Sequence, residues 1–120
     1  MEIRENRVVI LGAGIGAMAM GFENASCKVV AAYEHDERAR ELYENNAKDK
    51  TYKIGELDYN NFEEIPDMDI LACDFRRGLS FTSAGMGKTH HFRNAVKAVI
   101  EFKQPKKVFF LVQCGYARLK

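Results

Sequence analysis

A short apolar run that breaks into three alternating glycines constrains this chain more than any other feature. Residues 7–11 read Arg-Val-Val-Ile-Leu, and residues 12–16 read Gly-Ala-Gly-Ile-Gly. A run apolar on both faces is the pattern of a strand buried in a parallel sheet. Glycines directly after it let the backbone turn tightly into a helix and approach a ligand closely. That helix is predicted over residues 17–24, with Met18, Met20 and Phe22 among its residues. A second strand over residues 28–33, Lys-Val-Val-Ala-Ala-Tyr, ends at Glu34. In nucleotide-binding α/β folds a carboxylate stands at this point, about 20 residues past the turn, and accepts hydrogen bonds from both ribose hydroxyls. The turn by itself does not choose between NAD and S-adenosylmethionine, because both lay a ribose against it. NAD also needs its pyrophosphate on a helix N-terminus. S-adenosylmethionine carries no phosphate, and its positive sulfonium favours nearby carboxylates.

The rest of the chain keeps alternating helix and strand signals. Asp36 is placed to cap a helix from Glu37 whose buried face would carry Ala39, Leu42, Tyr43 and Asn46. Residues 51–54 read as a weak third strand and residues 69–72 as a fourth. Phe92, Ala95, Val96, Val99, Ile100 and Lys103 recur at spacings of three and four, which predicts a helix over residues 88–103 ending before Pro105. Residues 108–112, Val-Phe-Phe-Leu-Val, read as a fifth strand. Two stretches, residues 56–68 and 73–89, read as long irregular loops, and loops of that length are usually functional or mobile. Strands alternating with helices predict an α/β fold with a parallel sheet.

Composition bounds the function. The chain has 120 residues, 47% of them hydrophobic and 29% charged, with a net charge of +1. One domain with a real core is expected over residues 1–120. Near-neutral charge excludes a histone-like nucleic-acid binder but not a local basic loop. No apolar run is long enough to span a membrane, and the N-terminus has no apolar signal segment, so a cytoplasmic protein without membrane partners is expected. Cys27, Cys73 and Cys114 are odd in number and lack CxxC spacing, so they read as reduced thiols and not as a metal or disulfide frame. Residues 82–89, Thr-Ser-Ala-Gly-Met-Gly-Lys-Thr, come close to a phosphate-binding loop. They lack its first glycine and an upstream strand, so that reading is set aside. His90 and His91 are adjacent and would diverge on a helix, which argues against metal ligation; no metal site is expected.

At this point the motifs carry a family resemblance. Leu11-Gly12-Ala13-Gly14-Ile15-Gly16 and the residues through Glu23 resemble the first motif of cytosine-C5 DNA methyltransferases. Residues 29–36, with Glu34 and Asp36 as a Glu-x-Asp, resemble their second motif. Gly55-Glu56-Leu57 is similar to the third, normally Gly-Asp-Ile. Residues 65–71 resemble the approach to the catalytic loop, and Ser80-Phe81-Thr82-Ser83-Ala84-Gly85 its close. Residues 103–111 resemble the run into a Glu-Asn-Val motif. The resemblance implies a Rossmann-like methyltransferase fold with strand order 3-2-1-4-5 and S-adenosylmethionine as cofactor. It implies a cofactor set of Gly12, Ala13, Gly14, Ile15, Gly16, Glu34, His35, Glu56 and Leu57. Gly14 and Gly16 would underlie the amino-acid end, Glu34 would hold the ribose, and Glu56 would meet the adenine amino group. Arg76, Arg77, Ser80 and Lys88 would face DNA.

The chain departs from the family where the chemistry lies. A cysteine thiolate must attack C6 of cytosine to make C5 nucleophilic. Here that position is Arg77 or Gly78, depending on the alignment, and Cys73 falls several residues early. Valine, Val112, takes the place of the glutamate that stabilises the flipped base, beside Gln113. Losing a nucleophile removes orders of magnitude in rate. The family's later motifs and its target-recognition domain are not in the sequence. The expectation is therefore the truncated cofactor-binding half of such a domain, inactive alone, with residues 108–112 pairing with a second copy or a complementing subunit. The alternatives are a catalytically dead cofactor- or DNA-binding regulator, and a small NAD-binding domain in which Glu34 favours NAD over NADP.

Overall fold

A computed structural model describes residues 5–58, 60–75 and 83–112, with side chains in the last stretch described from Phe92 onward. Five parallel strands form one sheet in the order β3-β2-β1-β4-β5. They are β1 (Arg7–Leu11), β2 (Lys28–Tyr33), β3 (Lys53–Gly55), β4 (Ile70–Asp74) and β5 (Lys107–Leu111). The helices are α1 (Ala17–Asn24), α2 (Glu37–Asn46) and α3 (Ser83–Lys103), with a single 3-10 turn at Phe62–Glu64.

Alternation along β1 divides the core into two layers. Val8 and Ile10 join Ala19 of α1 and Tyr43 of α2 on one face. Val9 and Leu11 join Val96 and Val99 of α3 on the other, together with Leu71, Cys73 and Tyr33. Each layer leaves no apolar strand face of β1 open, which explains why Val8, Val9, Ile10 and Leu11 are all fully buried. Helices on both faces leave the C-terminal ends of β1, β2 and β4 as the place for a ligand.

Several boundaries move from the sequence expectation. β3 begins at Lys53 and not at 51, because Asp49 accepts the Thr51 N–H (2.8 Å) and hydroxyl, which keeps the chain turning there. β4 runs two residues further than expected, since Asp74 still pairs with Leu111. β5 correspondingly starts at Lys107, opposite Ile70. The largest change is in the expected 73–89 loop, where α3 begins at Ser83. Residues 83–89 are helical, so they form no phosphate-binding loop. On α2 only Ala39 and Tyr43 are buried, whereas Leu42 and Asn46 face solvent. Residues four apart share a helix face, and Leu42 stands a third of a turn off that line.

Asp36 is the α2 N-cap, accepting the N–H groups of Arg38 (3.0 Å) and Ala39 (3.3 Å). On α3, Ala95, Val96 and Val99 are buried and Lys103 lays its stem along the core while its ammonium reaches Asp67 at 3.1 Å. Among the described residues no helix is long and apolar enough to cross a membrane.

Candidate functional site

The glycine turn is drawn tightly against the end of β2. Gly12 and Ala13 both donate to the Tyr33 carbonyl, at 2.9 and 3.0 Å. Gly14 N–H donates to Glu34 Oε1 at 2.6 Å, and Asp36 N–H donates to Glu34 Oε2 at 2.8 Å. The Arg40 guanidinium donates to the Glu34 carbonyl at 2.6 Å. One glutamate thus ties the turn to the first residues of α2. Its carboxylate is only 2% exposed, and two backbone donors supply what water would have supplied. His35 Nδ1 lies 3.5 Å from Glu34 Oε2 on the solvent side.

The turn also accepts glycine for steric reasons. Gly12 has φ +75°, and a Cβ there would lie 2.7 Å from the Asp74 carbonyl oxygen. Gly16 has φ +104°, with the Tyr43 ring 3.4 Å from where its Cβ would stand. Tyr43 is buried and hydrogen-bonded to the Tyr52 hydroxyl at 2.6 Å, so the wall behind Gly16 is fixed. Burial pushes the Tyr43 phenol well above its ordinary value, and the bond to Tyr52 adds to the effect.

A shallow, open cleft lies beside this turn, lined by Leu11, Gly12, Tyr33, Glu34, His35, Glu56, Leu57 and Phe92. Of the residues expected at a cofactor, Gly12, Glu34, His35, Glu56 and Leu57 therefore share one cleft. Gly14 is behind it, joined to Glu34. Ala13 faces the core layer below α1, and Ile15 and Gly16 line a separate small hollow with Tyr43 and Tyr52. Sequence reasoning missed Leu11, Tyr33 and Phe92 as cleft walls. Phe92 was visible only as part of an apolar helical stripe, and Tyr33 only as the last residue of a strand.

The remaining expected positions separate sharply. Cys73 is fully buried in the sheet, and desolvation pushes its thiol up to about 12, so it is neither accessible nor ionised at neutral pH. Arg76, Arg77, Gly78 and Ser80 lie outside the described residues, as do Gln113 and Cys114; Lys88 is in α3 with its side chain outside them. Among the described residues no group of His, Cys, Asp or Glu could hold a metal.

Fold and site together define the class. The parallel order 3-2-1-4-5 is that of the Rossmann-like fold of S-adenosylmethionine-dependent methyltransferases. S. pombe Dnmt2 methyltransferase superposes with a TM-score of 0.66 at 17% identity, covering 97% of this chain and 36% of that one. Streptomyces venezuelae DesVI superposes at 0.65 and 15% identity, covering 98% and 47%. The sequence narrows the class further. The C-5 cytosine-specific DNA methylase family model matches residues 7–75, and the chain belongs to that family. Type II methyltransferase M.HaeII of Haemophilus aegyptius is 33% identical over 109 residues, which are 87% of this chain and 33% of that protein. Type II methyltransferase M.HhaI of Haemophilus parahaemolyticus is 30% identical over 110 residues, 86% and 32% respectively. The chain thus spans about a third of the length of these curated relatives.

Proposed function

We propose that the cleft beside the glycine turn binds S-adenosylmethionine or its demethylated product, and that the chain does not itself attack cytosine. The observation that carries the reading is the buried Glu34 carboxylate, held at the cleft by Gly14 and Asp36. Each of its oxygens takes one backbone N–H and keeps a lone pair for a ribose hydroxyl. Glu56, on the opposite lip, is exposed and free to reach an adenine amino group. The bound cofactor would supply the methyl group; the residues of this chain supply orientation and a carboxylate-rich rim suited to a sulfonium.

The N–H groups of Gly12, Ala13, Gly14 and Gly16 are all hydrogen-bonded inside the protein, so a pyrophosphate, which S-adenosylmethionine does not carry, would fall to the first turn of α1. M.HaeII, M.HhaI and S. pombe Dnmt2 are named methyltransferases, and the solved structure of the methyltransferase CalS10 contains S-adenosylmethionine.

Family membership makes DNA the reading for a macromolecular substrate, with Arg76, Arg77, Ser80 and Lys88 as the residues offered to it. Neither Arg77 nor Gly78 is a nucleophile, and Cys73 is a core side chain. The edge of β5 fits pairing with another chain, either a second copy or a complementing subunit. Calorimetry with S-adenosylmethionine, S-adenosylhomocysteine and NAD tests the cofactor; heat with the first two and none with NAD is expected, and binding of NAD alone overturns it. Incorporation of labelled methyl into DNA by the purified chain would overturn the reading of the catalytic loop.

A further inference from the structure

The cleft wall at Phe92 is joined to the edge of the sheet by a row of three rings. Phe92 is in α3, and the tip of its ring lies 3.2 Å from where a Cβ on Gly12 would stand, so the ring is set directly against the glycine turn. The Phe75 ring meets it edge-on, with centroids 5.2 Å apart and planes at 70°. Phe110 of β5 meets the Phe75 ring in turn, at 5.4 Å and again at 70°. Phe75 is also held to β5 by its backbone, whose N–H donates to the Leu111 carbonyl at 2.8 Å. Phe75 and Phe92 both pack against the buried layer that contains Leu71, Cys73, Val96 and Val99. Phe110 is half exposed and closes the row from the solvent side, in a groove that it shares with Phe75, Val96 and Ile100.

We propose that Phe110 is a positioning residue for the ligand cleft: its ring fixes the Phe75 ring, and Phe75 fixes the Phe92 wall. The inference rests on the cofactor reading above and extends the determinants of the cleft to a strand that β4 separates from β1. Edge-on ring pairs gain from their geometry beyond the area they bury, so each ring orients the next. A wall that meets a ligand keeps its place only when the side chains behind it are held as well. The row is assembled without a ligand, so binding requires no shift of the β5 backbone. Its contribution is preorganisation, and without it Phe92 has to be ordered at the moment of binding. Phe109 supplies the control. It is as exposed as Phe110, at 49% against 50%, but it pairs in register with Ala72 whereas Phe110 pairs with Cys73, so the two rings face opposite sides of the sheet. Phe109 meets Phe22 of α1, at 5.7 Å, and stands outside the row.

The test compares Phe110→Ala with Phe109→Ala and with Phe110→Tyr, which keeps the ring. Calorimetry reads the affinity for S-adenosylhomocysteine, and NMR of labelled phenylalanine reads the Phe92 ring in the ligand-free proteins. Phe110→Ala is expected to bind about fivefold more weakly and to move the Phe92 ring signals. Phe109→Ala, which loses an equal ring, should bind as the wild type does with Phe92 unmoved, and Phe110→Tyr should restore both readouts. Phe110→Leu keeps the apolar bulk without the ring edge; it should show the same two changes and is read in place of an alanine variant that does not fold. Wild-type affinity in Phe110→Ala overturns the inference while leaving the cofactor reading intact. Equal weakening by both alanine variants also overturns it, since a general loss of packing would then be the cause. Phe92 ring signals that stay in place in Phe110→Ala overturn it whether or not a ligand binds. A wild type that binds no S-adenosylhomocysteine overturns the cofactor reading itself, and the ring signals then decide the contact separately.

Discussion

The β2 side of the sheet and its β5 side are built from strands of similar apolarity, yet one buries a carboxylate and the other exposes phenylalanines. At the end of β2, Glu34 is 2% exposed, with the Gly14 and Asp36 N–H groups spent on its carboxylate and those of Gly12 and Ala13 on the neighbouring Tyr33 carbonyl. Along β5, Phe109 and Phe110 are about half exposed, at 49% and 50%, although Phe22 and Phe75 meet their rings edge-on. Residue type did not decide which side is covered. β1 and β2 are flanked by strands and sandwiched between helices, whereas β5 stands at the end of the sheet order. The polar turn is the better enclosed of the two because its backbone has to be satisfied internally.

The comparison breaks most decisively at Glu34. Glu34→Ala leaves the Gly14 and Asp36 N–H groups without their acceptor and should cost about 3 kcal/mol. Guanidinium unfolding measures it, and a loss under about 1 kcal/mol would mean that the latch contributes little. Gly12→Ala comes next. A Cβ 2.7 Å from the Asp74 carbonyl at φ +75° should cost about 2 kcal/mol. Gly21→Ala, where a Cβ would meet nothing within 4 Å, should instead gain about 0.5–1 kcal/mol. If both substitutions moved stability in the same direction, the tight fit of the turn would be wrong.

The buried thiol gives a pH signature. With Cys73 raised to about 12 when folded and 9.0 as its ordinary value, the folded state keeps the proton longer than the unfolded state. Its contribution is complete below pH 9.0 and is lost as pH rises toward 12, about 1 kcal/mol having gone by pH 10. Cys73→Ala should flatten the alkaline limb of the stability curve by that amount; an unchanged slope would show that the thiol is not desolvated. The smallest effect on folding belongs to β5. Phe109→Lys should change unfolding free energy by less than about 1 kcal/mol, because the ring is already half in water. The same change should abolish self-association in sedimentation experiments if a second copy covers this edge, and a wild type that is monomeric at micromolar concentration would leave the edge to a different chain.

Much of the β2 side could be read from sequence. The Val-Val-Ile-Leu run, the glycines and the Asp36 cap are local signals, and each acts on residues within a turn or two of itself. The strand order followed from the family resemblance. What could not be read depends on neighbours distant in the chain. Glu34 was visible as a ribose acceptor but not as the latch on Gly14, because that bond needs the closed turn. Leu42 looked like a core residue until α2 settled with Ala39 and Tyr43 inward. The first turns of α3 looked like a loop because Gly85 and Gly87 are poor helix formers, and the helix forms over them nevertheless. The burial of the Tyr33 hydroxyl without a hydrogen-bond partner has no sequence signal at all; Leu57 and Phe92, which pack against the same core layer, are distant in the chain.

Amide NMR during titration with S-adenosylhomocysteine tests the central claim most directly, since it reads both sides of the sheet in one experiment. The account predicts that the largest shifts fall on Gly12, Gly14, Glu34, His35, Asp36, Glu56 and Leu57, with the amides of Val108 to Leu111 unmoved. Shifts concentrated on β5, or none at saturating ligand, would contradict it.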